Sequence, residues 1–519
     1  MGRNARRPHL KRVDVKAIRI RPEDTVAVAV HPLKKGETIV IGDFAVTVLE
    51  DIGGGHKVAL TVTGKGEPVI KYGSPMGVAT KNIAVGEHVH THNTSTRLSE
   101  HDEYYYDLNV RDAFQQEADR RAKRREDSIP TIKAFERTDG KIGIRNEIWI
   151  VPTVGCVNMT AEQLAKWAEK NLPKNEHYEG TYAWTHPFGC SQLGEDHETT
   201  RTILAGLVRH PNAGGVLVLS LGCENNTPES FKELLGEVDP KRVKFLTTQE
   251  VEDELEASHA LIRELYDEIQ NDVRTPVGMD RLIVGFKCGG SDGYSGITAN
   301  PLVGYFCDEL TAMGGTGILT EVPEMFGAEQ LLMNRATDET VYERIVTLIN
   351  DFKRYFVKHG QVVYENPSPG NKKGGITTLE EKSLGCIQKG GKAIVTDVIP
   401  YGGQVHKRGL TLLSGPGNDI VSTTALTAAG AHIILFTTGR GTPLGSPVPT
   451  VKIASNTALA EKKPHWIDFD AERLLREEQD VVVDDFIDMM REIAGGKKLA
   501  KNEEHGYREI SIFKDGVVL

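Results

Sequence analysis

The sequence has few cysteines, no long apolar run and no excess of positive charge. Its six cysteines in 519 residues do not make a disulfide framework, so in a reducing cytosol they would be buried thiols, metal ligands or catalytic groups. Its apolar runs, such as Gly215–Leu219, fall far short of the ~20 residues that a membrane helix needs. A net charge of −11, from 62 basic and 73 acidic residues, argues against nucleic acid as a partner.

The sequence also lacks a nucleotide-binding pattern and a secretion signal. The glycines of Gly289–Gly296 and the Gly-Pro-Gly at Gly415–Gly417 match neither a dinucleotide fingerprint nor a Walker motif. Residues 1–12 are basic but have no apolar core, so we expect a basic tail and not a signal peptide. These absences predict a cytoplasmic protein of a few domains.

Strand and helix patterns divide the chain into successive parts. Residues 13–100 contain short strand-like runs and glycine turns, which are typical of a small β-rich domain. Residues 101–130 read as a charged linker or a solvated helix. From about residue 131 strands alternate with helices, which predicts two α/β units with mainly parallel sheets, 131–275 and 276–519. The second unit is predicted to end in a helix and a final strand, Glu509–Phe513.

The stretch from Leu282 to Pro301 is the strongest local pattern. A short apolar run typical of a buried strand ends at Cys288, a glycine turn follows as far as Gly293, and a helical pattern begins at Asn300. Open α/β sheets bind their ligands where a strand leads through such a turn into a helix, whose N-terminus attracts anions. A tight turn that merely needs glycine is the alternative, but the same arrangement recurs after other strands.

Four cysteines lie at the ends of predicted strands or in the loops just after them: Cys156, Cys190, Cys223 and Cys288. Because the carboxyl ends of parallel strands converge on a cleft, these thiols could meet, and soft thiolates favour iron or zinc. No pair has the C-x₂-C spacing of a zinc finger, so inert buried cysteine stays an alternative for each. We expect Cys307 to lie in a helix core and Cys386 to lack polar neighbours suited to chemistry.

Histidines are natural acids, bases and metal ligands, and they fall into two groups. Those at the ends of predicted elements are candidates for proton transfer: His56, His186 and His197. Those that alternate along one strand would share a face and could ligate a metal: His88, His90 and His92. A polar face on an edge strand is the other interpretation of the second group.

The loop Tyr364–Gly375 is too rich in proline and glycine to be regular, and it presents amides and ammonium groups. With two arginines it forms a donor-rich set inside an acidic protein: Asn366, Asn371, Lys372, Lys373, Arg145 and Arg440. Such a set suits a small polyhydroxy carboxylate, although a phosphate cradle would look similar. Three further candidates for substrate contacts lie in the glycine-rich turns: Ser291, Asp292 and Thr442.

Long motifs resemble the altronate/galactarate dehydratase family from about residue 16 nearly to the end. They include GEHVHTHN (86–93), GIRNEIWIVPTVGCVN (143–158), CGGSDGYSGITANP (288–301) and ENPSPGNKKGGITTLEEKSLG (365–385). The histidine-rich motif and the tail REISIFKDGV (508–517) are more similar to the altronate branch than to the galactarate branch. The basic residues 1–12 are the main departure from the family pattern.

The resemblance implies a fold and an activity. The fold is a SAF-like β-clip domain at 13–100 joined to a two-unit α/β body. The activity is that of a cytoplasmic lyase of hexuronate catabolism, which removes water from D-altronate to give 2-dehydro-3-deoxy-D-gluconate. A requirement for Fe²⁺, for which Mn²⁺ could substitute, is also implied.

Elimination needs a base, an acid and a cation that stabilises the developing charge. We expect some of the four strand-end cysteines, with His56 as a further ligand, to hold the iron. Arg145, Lys372 and Arg440 would then hold the substrate. The proton-transfer pair is expected among His56, His186, His197 and Lys372.

Other functions stay open at this point. A sugar-diacid dehydratase or a sulfo-lyase could share the same body, and a non-catalytic sugar-acid-binding protein belongs to a different class. The expected partner is a small sugar acid, with neither nucleic acid nor membrane, and the chain is expected to be a homo-oligomer, namely a dimer.

Overall fold

The computed structural model describes residues 15–98, 103–125 and 128–519. The predicted basic tail at 1–12 therefore lies outside the described residues. The N-terminal domain is built from nine short strands: β1 Ala17–Ile18, β2 Val26–Ala29, β3 Thr38–Ile41, β4 Phe44–Thr47, β5 Lys57–Ala59, β6 Pro68–Lys71, β7 Ser74–Ala79, β8 His88–Val89 and β9 Thr94–Ser95.

These strands form small antiparallel sheets around two patches of apolar side chains. The sheet orders are β1-β2-β5-β8, β3-β4 and β6-β7-β9. Burial alternates along β3, where Ile39 and Ile41 point inward and Val40 is exposed. That alternation is what the period-2 pattern of the sequence predicts for a half-buried strand.

The segment expected to be a charged linker contains helix α1, Leu108–Arg125. None of its residues is buried. Ion pairs tie it to the α/β body: Arg121 lies 2.6 Å from Asp308, and Arg125 lies 2.5 Å from Glu309. The basic run in this segment therefore lies on a solvated helix and not on an irregular linker.

The first α/β unit contains a four-stranded parallel sheet and a three-stranded antiparallel sheet. The parallel sheet has the order β13-β12-β14-β15, and the antiparallel sheet has the order β11-β10-β16. The elements are β10 Thr131–Glu136, β11 Ile142–Gly143, β12 Glu147–Pro152, α2 Asn158–Asn171, β13 Thr181–Ala183, α3 Gly194–Val208, β14 Ala213–Ser220, α4 Pro228–Leu235, β15 Val243–Thr247, α5 Glu254–Ile269 and β16 Arg274–Gly278.

The second α/β unit contains one seven-stranded parallel sheet of order β19-β20-β18-β17-β21-β22-β23. Its elements are β17 Ile283–Cys288, α6 Ala299–Ala312, β18 Thr316–Leu319, α7 Glu329–Met333, α8 Glu339–Lys358, α9 Pro369–Lys373, α10 Leu379–Cys386, β19 Val395–Ile399, β20 Gly409–Leu413, α11 Asp419–Ala428, β21 Ile433–Thr438, β22 Thr450–Ala454, α12 Thr457–Lys462, β23 Phe469–Asp470, α13 Gln479–Ala494 and α14 Lys501–Glu504.

The two α/β units share a core. Apolar side chains of both sheets, such as Trp149 and Ile434, belong to one buried cluster. Helix α3 packs against α11 so closely that a Cβ on Gly206 would stand 2.6 Å from the Ala428 carbonyl oxygen. A larger side chain at Gly206 would force the helices apart, so the close approach requires glycine.

The predicted fold class, a β-rich N-terminal domain followed by α/β units with mainly parallel sheets, is confirmed. The final strand predicted at Glu509–Phe513 does not form. The amides of this segment donate to the Gly445 carbonyl and to the hydroxyls of Thr424 and Tyr401, so no neighbouring strand pairs with it. Among the described residues no helix is both long and apolar enough to span a membrane.

Candidate active site

The N-terminal domain docks on the glycine-rich turn that follows β17. A Cβ on Gly293 would clash with the Gly55 carbonyl oxygen, so the two backbones can meet only because residue 293 is glycine. The Gly293 amide donates to the Gly374 carbonyl at 2.8 Å, and the Tyr294 hydroxyl donates to the Val30 carbonyl at 2.8 Å. Three parts of the chain distant in sequence therefore meet at this turn.

A buried ionic triad fastens the N-terminal domain to helix α10. Lys57 and Lys71 donate to the two carboxylate oxygens of Glu381 at 2.9 and 2.7 Å, and all three side chains are at most 1% exposed. Lys57 also donates to the Gly375 carbonyl at 2.6 Å. Burial opposes ionisation of Glu381, but the two ammonium groups outweigh it and lower its pKa to about 2.

Four histidines of the N-terminal domain cluster beside this junction. The rings of His56, His88 and His90 form a triangle with centroids 5.0–5.5 Å apart, and His92 lies 5.3 Å from His88. His56 Nδ1 is 3.0 Å from His88 Nε2, and His90 Nδ1 is 2.9 Å from the Thr377 hydroxyl. The alternating histidines thus face the α/β body.

The surroundings of His56, His88 and His90 lower the pKa of each of these three imidazoles. Burial lowers the pKa of His56, Lys57 lowers it further, and a backbone hydrogen bond to Lys373 opposes both. Burial and the neighbouring imidazoles lower the pKa of His88 to about 3, and burial together with Lys57 lowers that of His90 to about 4. Neutral imidazole is the form that accepts a proton or ligates a metal.

An acidic group borders the histidine cluster. One ligand atom each from Glu50, Glu87 and His92 lies within 4.8 Å of the other two. Glu50 also accepts a hydrogen bond from the His88 amide at 3.3 Å, which places it next to the imidazole triangle. Carboxylate with imidazole is a ligand set that suits Fe²⁺ or Mn²⁺.

The proline- and glycine-rich loop ends in the short helix α9, which lies against the glycine turn after β17. The Ser368 side chain caps α9, and the buried Asn371 donates from Nδ2 to the Ser291 carbonyl at 2.8 Å. Lys372 is half-buried and Lys373 is exposed, and neither ammonium has a partner among residues 15–98, 103–125 and 128–519. Asn371 therefore positions the loop, and the lysines are free to bind an anion.

Arg440 lies on the other side of the same loop. Its Cβ is 3.3 Å from where a Cβ on Gly290 would stand, and its guanidinium donates to the Gly370 carbonyl at 2.7 Å. Its remaining N–H groups are exposed. Thr442 Oγ1 accepts from a backbone amide two residues further on, and Asn366 Oδ1 lies 3.4 Å from a lysine ammonium. Arg440 thus lies beside the glycine turn, and Lys372 and Lys373 belong to the helix that packs against this turn.

The carboxylate of Asp292, a predicted substrate contact, accepts hydrogen bonds from other residues of the protein. Its carboxylate accepts from the hydroxyls of Ser295 and Ser455 at 3.0 and 2.8 Å and from the Asn456 amide at 3.0 Å. Burial raises the pKa of Asp292, and these hydrogen bonds oppose the rise. This residue shapes the turn and has no free oxygen to offer a substrate.

Cys288 and Cys386 lie side by side beneath the turn. Their Sγ atoms are 3.6 Å apart, and each contacts Glu324 Oε2, at 3.0 and 3.1 Å. All three residues are buried. The prediction that Cys386 lacks polar neighbours is wrong, because α10 carries it onto the end of β17, 98 residues earlier in the chain.

Three buried ammonium groups surround these thiols. Lys382 is 2.7 Å from Glu324 Oε1, while Lys287 and Lys389 pair with Glu321. Burial works against ionisation of Glu324, but Lys382 and the other ammonium groups hold its pKa below the usual range. Because these cations would repel a divalent ion, the arrangement fits an internal ion network better than a metal site.

The other three predicted iron ligands lie elsewhere. Cys156, Cys190 and Cys223 are exposed in the first α/β unit, just after β12, β13 and β14. Within the described residues, the groups of three potential ligand atoms within 4.8 Å of one another contain none of these cysteines. The structure therefore does not gather the four predicted cysteines into one group.

Arg145 is a structural residue. Its guanidinium makes a two-pronged contact with Glu503 at 2.7 and 2.9 Å and donates to the carbonyls of Ile144 and Ile493, and its side chain is 1% exposed. The prediction that it holds the substrate is corrected for this reason: its donors are taken and no solvent reaches it.

The two predicted histidines of the first unit lie away from the imidazole cluster of the N-terminal domain. His186 is buried, with Nε2 bonded to the Pro152 carbonyl at 2.8 Å and Nδ1 accepting from the Phe188 amide at 3.2 Å. Burial lowers its pKa to about 4. Both ring nitrogens of His186 are hydrogen-bonded to backbone groups, so this residue joins two loops. Neither nitrogen is free to exchange a proton with a substrate. His197 is half-buried on α3, next to Glu198.

Sequence reasoning missed the buried charges that organise this region. One set of buried charges consists of Lys57, Lys71 and Glu381, and a second set includes Lys287. The residues around each of these charges form no catalytic pattern in the sequence. A signal existed for two of them. Lys287 interrupts an apolar strand, and Lys71 occupies an inward position of β6, where a charge needs a buried partner.

Family models match the chain in three consecutive segments. Residues 15–97 match the altronate/galactarate dehydratase SAF domain. Residues 134–270 match the second domain of D-galactarate dehydratase/altronate hydrolase. Residues 279–518 match the C-terminal domain of D-galactarate/altronate dehydratase.

Curated relatives align along nearly the whole chain. The chain is 51% identical to altronate dehydratase of Escherichia coli (strain K12), over 97% of this chain and 99% of that protein. It is 50% identical to altronate dehydratase of Bacillus subtilis (strain 168), with the same coverage. Identity to the galactarate dehydratase (L-threo-forming) of Escherichia coli (strain K12) is 30%, over 96% of this chain and 97% of that protein.

Proposed function

The chain belongs to the altronate/galactarate dehydratase family, and on that premise we propose that it is a hydro-lyase that converts D-altronate to 2-dehydro-3-deoxy-D-gluconate. The observation that carries this proposal is the identity of 50–51% to two altronate dehydratases over 97% of the chain, against 30% to a galactarate dehydratase. A sugar-diacid dehydratase, a sulfo-lyase and a non-catalytic binding protein are less well supported alternatives.

The proposed active site lies where the histidine cluster meets helix α9 and the glycine turn after β17. Arg440 and Lys373 bind the substrate carboxylate, since both are exposed cations beside this turn. His56 is placed to accept a proton, because it is neutral and lies against the backbone of Lys373. Lys372, half-buried and without a partner among the described residues, is placed to donate one.

The reaction proceeds as a β-elimination. His56 takes the proton from C2, the electron pair forms a C2–C3 double bond, and the C3–O bond breaks. Lys372 protonates the departing hydroxyl, which leaves as water. The resulting enol then takes a proton at C3 and becomes the 2-keto acid, so atoms and charges balance.

The Fe²⁺ or Mn²⁺ that the family resemblance implies fits the donors at the edge of this site. Glu50, Glu87 and His92 would hold it, with His88 and His90 as neighbouring neutral imidazoles. When bound, such a cation supplies a Lewis acid for the carboxylate and the 2-hydroxyl. The thiols of Cys288 and Cys386 fit the metal less well because of the ammonium groups around them.

Anaerobic incubation with D-altronate and Fe²⁺, followed by an assay for the 2-keto-3-deoxy product, tests the function. We expect turnover of D-altronate and a kcat/KM at least ~10-fold lower for galactarate, since a site built for one sugar acid leaves polar groups unpaired with another. Binding of D-altronate without product would support the non-catalytic alternative. A preference for galactarate would support the diacid alternative.

Arginine substitutions separate substrate binding from folding. Arg440→Met should raise the KM for D-altronate about 10- to 100-fold, which is the worth of a charge-assisted hydrogen bond. Arg145→Met should leave KM unchanged and lower the Tm, because it leaves the Glu503 carboxylate buried beside Arg508 alone. Steady-state kinetics and calorimetry on both variants check the pair, and a raised KM for Arg145→Met at unchanged Tm would contradict it.

We infer further that the partner is a small sugar acid and that the enzyme acts in the cytoplasm without nucleic acid. The net charge of −11 supports the exclusion of nucleic acid. Assembly as a homo-oligomer, expected to be a dimer, is tested by light scattering of the purified protein.

A further inference from the structure

Cysteine recurs at equivalent positions of three adjacent strands in the first α/β unit. Strands β13, β12 and β14 lie side by side and run parallel. Each is followed by a loop with one exposed cysteine and then by a helix: Cys190 before α3, Cys156 before α2 and Cys223 before α4. The carboxyl ends of parallel strands share one edge of a sheet, so the three thiols lie at that edge.

Hydrogen bonds join the loops that carry the three cysteines to one another. The Gly155 amide, adjacent to Cys156, donates to the Phe188 carbonyl at 2.8 Å, two residues before Cys190. On the other side of Cys190, the Ser191 amide donates to Asn225 Oδ1 at 2.7 Å, two residues after Cys223.

The backbone at Gly189 reinforces this convergence. The Asn226 amide donates to the Gly189 carbonyl at 3.2 Å. Residue 189 must be glycine, because its φ is +97° and a Cβ there would clash with the Thr153 carbonyl oxygen. The loop that carries Cys190 is thereby pressed onto the end of β12.

The three thiols do not stand as the ligands of a single tetrahedral ion. Around one tetrahedral Zn²⁺ the sulfurs stand about 4 Å apart, as metal–sulfur bonds of ~2.3 Å require. No group of three ligand atoms within 4.8 Å of one another in the described residues includes these thiols. In an iron–sulfur cubane each thiolate binds a different iron, so the sulfurs lie farther apart.

Two buried side-chain amides in the same loops each have one polar atom without a partner among the described residues. Gln192 is 2% exposed, and its Nε2 has no partner among the described residues, while its Oε1 accepts from the Gly189 amide. Asn226 is fully buried, and its Oδ1 likewise has none. An unpaired buried donor beside Cys190 is costly unless something accepts its hydrogen, and cluster sulfides accept N–H hydrogen bonds.

The helix N-termini supply matching electrostatics. Helices α2, α3 and α4 each begin within five residues of one of the cysteines, so their positive ends lie at the same edge. A cluster held by thiolates carries net negative charge, which these ends would stabilise.

We propose that Cys156, Cys190 and Cys223 bind a 4Fe–4S cluster whose fourth iron has no protein thiolate. The remaining cysteines, Cys288, Cys307 and Cys386, are buried in the second unit, where Cys288 and Cys386 contact each other. The open iron takes an oxygen ligand, either water or the hydroxyl and carboxylate of a hydroxy acid. This centre is separate from the imidazole and carboxylate group of the N-terminal domain.

Anaerobic reconstitution tests the proposal on the full chain. The reconstitution mixture contains equal amounts of Fe³⁺ and Fe²⁺ together with sulfide. A 4Fe–4S core with charge +2 contains two irons of each kind, so no oxidant or reductant is needed. We expect about four irons and four acid-labile sulfides per chain, with broad visible charge-transfer absorption. Mössbauer spectroscopy should resolve one iron from the other three, as an iron without thiolate requires.

Cysteine variants locate the cluster. Most of the visible absorption and labile sulfide should be lost in each of three variants: Cys156→Ser, Cys190→Ser and Cys223→Ser. The control is Cys307→Ala, which removes a thiol of helix α6 outside the proposed site and should keep both signals. Circular dichroism checks that the variants fold, which the exposure of the three thiols favours. Iron bound without labile sulfide, or a cluster that survives all three substitutions, would overturn the proposal.

The outcome is independent of the dehydratase proposal. His56→Ala should lower kcat/KM for dehydration by about 10²- to 10⁴-fold and retain the cluster spectrum. A wild-type protein that assembles the cluster but does not dehydrate D-altronate contradicts the proposed function alone, whereas an active protein without labile sulfide contradicts the cluster alone.

Discussion

Replacing His56 with alanine should lower kcat/KM for D-altronate by about 10²- to 10⁴-fold, the usual contribution of a positioned general base. The expectation rests on the position of this imidazole. Gly55, the last of three consecutive glycines, lies against the Gly374 carbonyl oxygen, and His56 is the next residue. Burial and Lys57 keep the ring neutral, so it is ready to accept a proton. Steady-state kinetics of the metal-loaded variant measure the effect.

A histidine outside the site provides the matched control. His406 is exposed in a loop of the second unit, and His406→Ala should leave kcat/KM within about twofold of wild type, as surface substitutions do. Equal metal content in the His56→Ala and wild-type proteins shows that the loss is not due to missing cation. If His56→Ala retains full activity with the metal bound, another group is the base.

Glu381→Gln should destabilise the protein by about 3–5 kcal/mol, because it leaves two ammonium groups buried without a counter-charge. Lys57 and Lys71 are both at most 1% exposed and share this one carboxylate. The triad joins the N-terminal domain to α10, so we expect that domain to unfold first. Because a chain of several domains does not unfold in one step, the temperature of the first calorimetric transition is the measurement.

An exposed ion pair provides the comparison for Glu381. Glu504 pairs with Lys501 at the surface, and Glu504→Gln should shift the transition very little. Acid should mimic the Glu381 substitution. The folded-state pKa of about 2 lies below the ordinary value of 4.5, so this contribution is present above pH 4.5 and is lost as the pH falls towards 2. An unchanged transition in Glu381→Gln would show that the triad does not hold the domain.

Local pattern predicted the elements on which the site is built. The apolar run that ends at Cys288 is strand β17, and the glycines after it form the turn on which the N-terminal domain docks. His88, His90 and His92 do cluster, but β8 ends at Val89, so the turn that follows it brings His90 and His92 to His88 and not a strand of period two. Arg440 lies beside this turn, and Lys372 and Lys373 lie on helix α9, which packs against it.

Local sequence patterns could not show which polar side chains are already hydrogen-bonded within the protein. Arg145 and His186 stand in polar motifs at strand ends, as ligand-binding residues do, yet all their donors and acceptors are taken by Glu503 and by backbone groups. Those partners come from distant parts of the chain, and sequence spacing does not reveal them. The same holds for Cys386, whose partner Cys288 lies 98 residues away.

By itself the sequence determined the α/β architecture, the β-rich N-terminal domain and the family, because periodicity and long motifs are local properties of the chain. Tertiary structure alone decided that the four strand-end cysteines divide between two sheets, with Cys288 beside Cys386 and the other three at the edge of the first sheet. It also decided that the imidazoles of the N-terminal domain lie beside the α/β body, where His90 contacts Thr377. The reason is physical: contact between groups depends on how sheets pack and domains dock. Lys57, Lys71 and Glu381 need one another as partners only once folding has buried them.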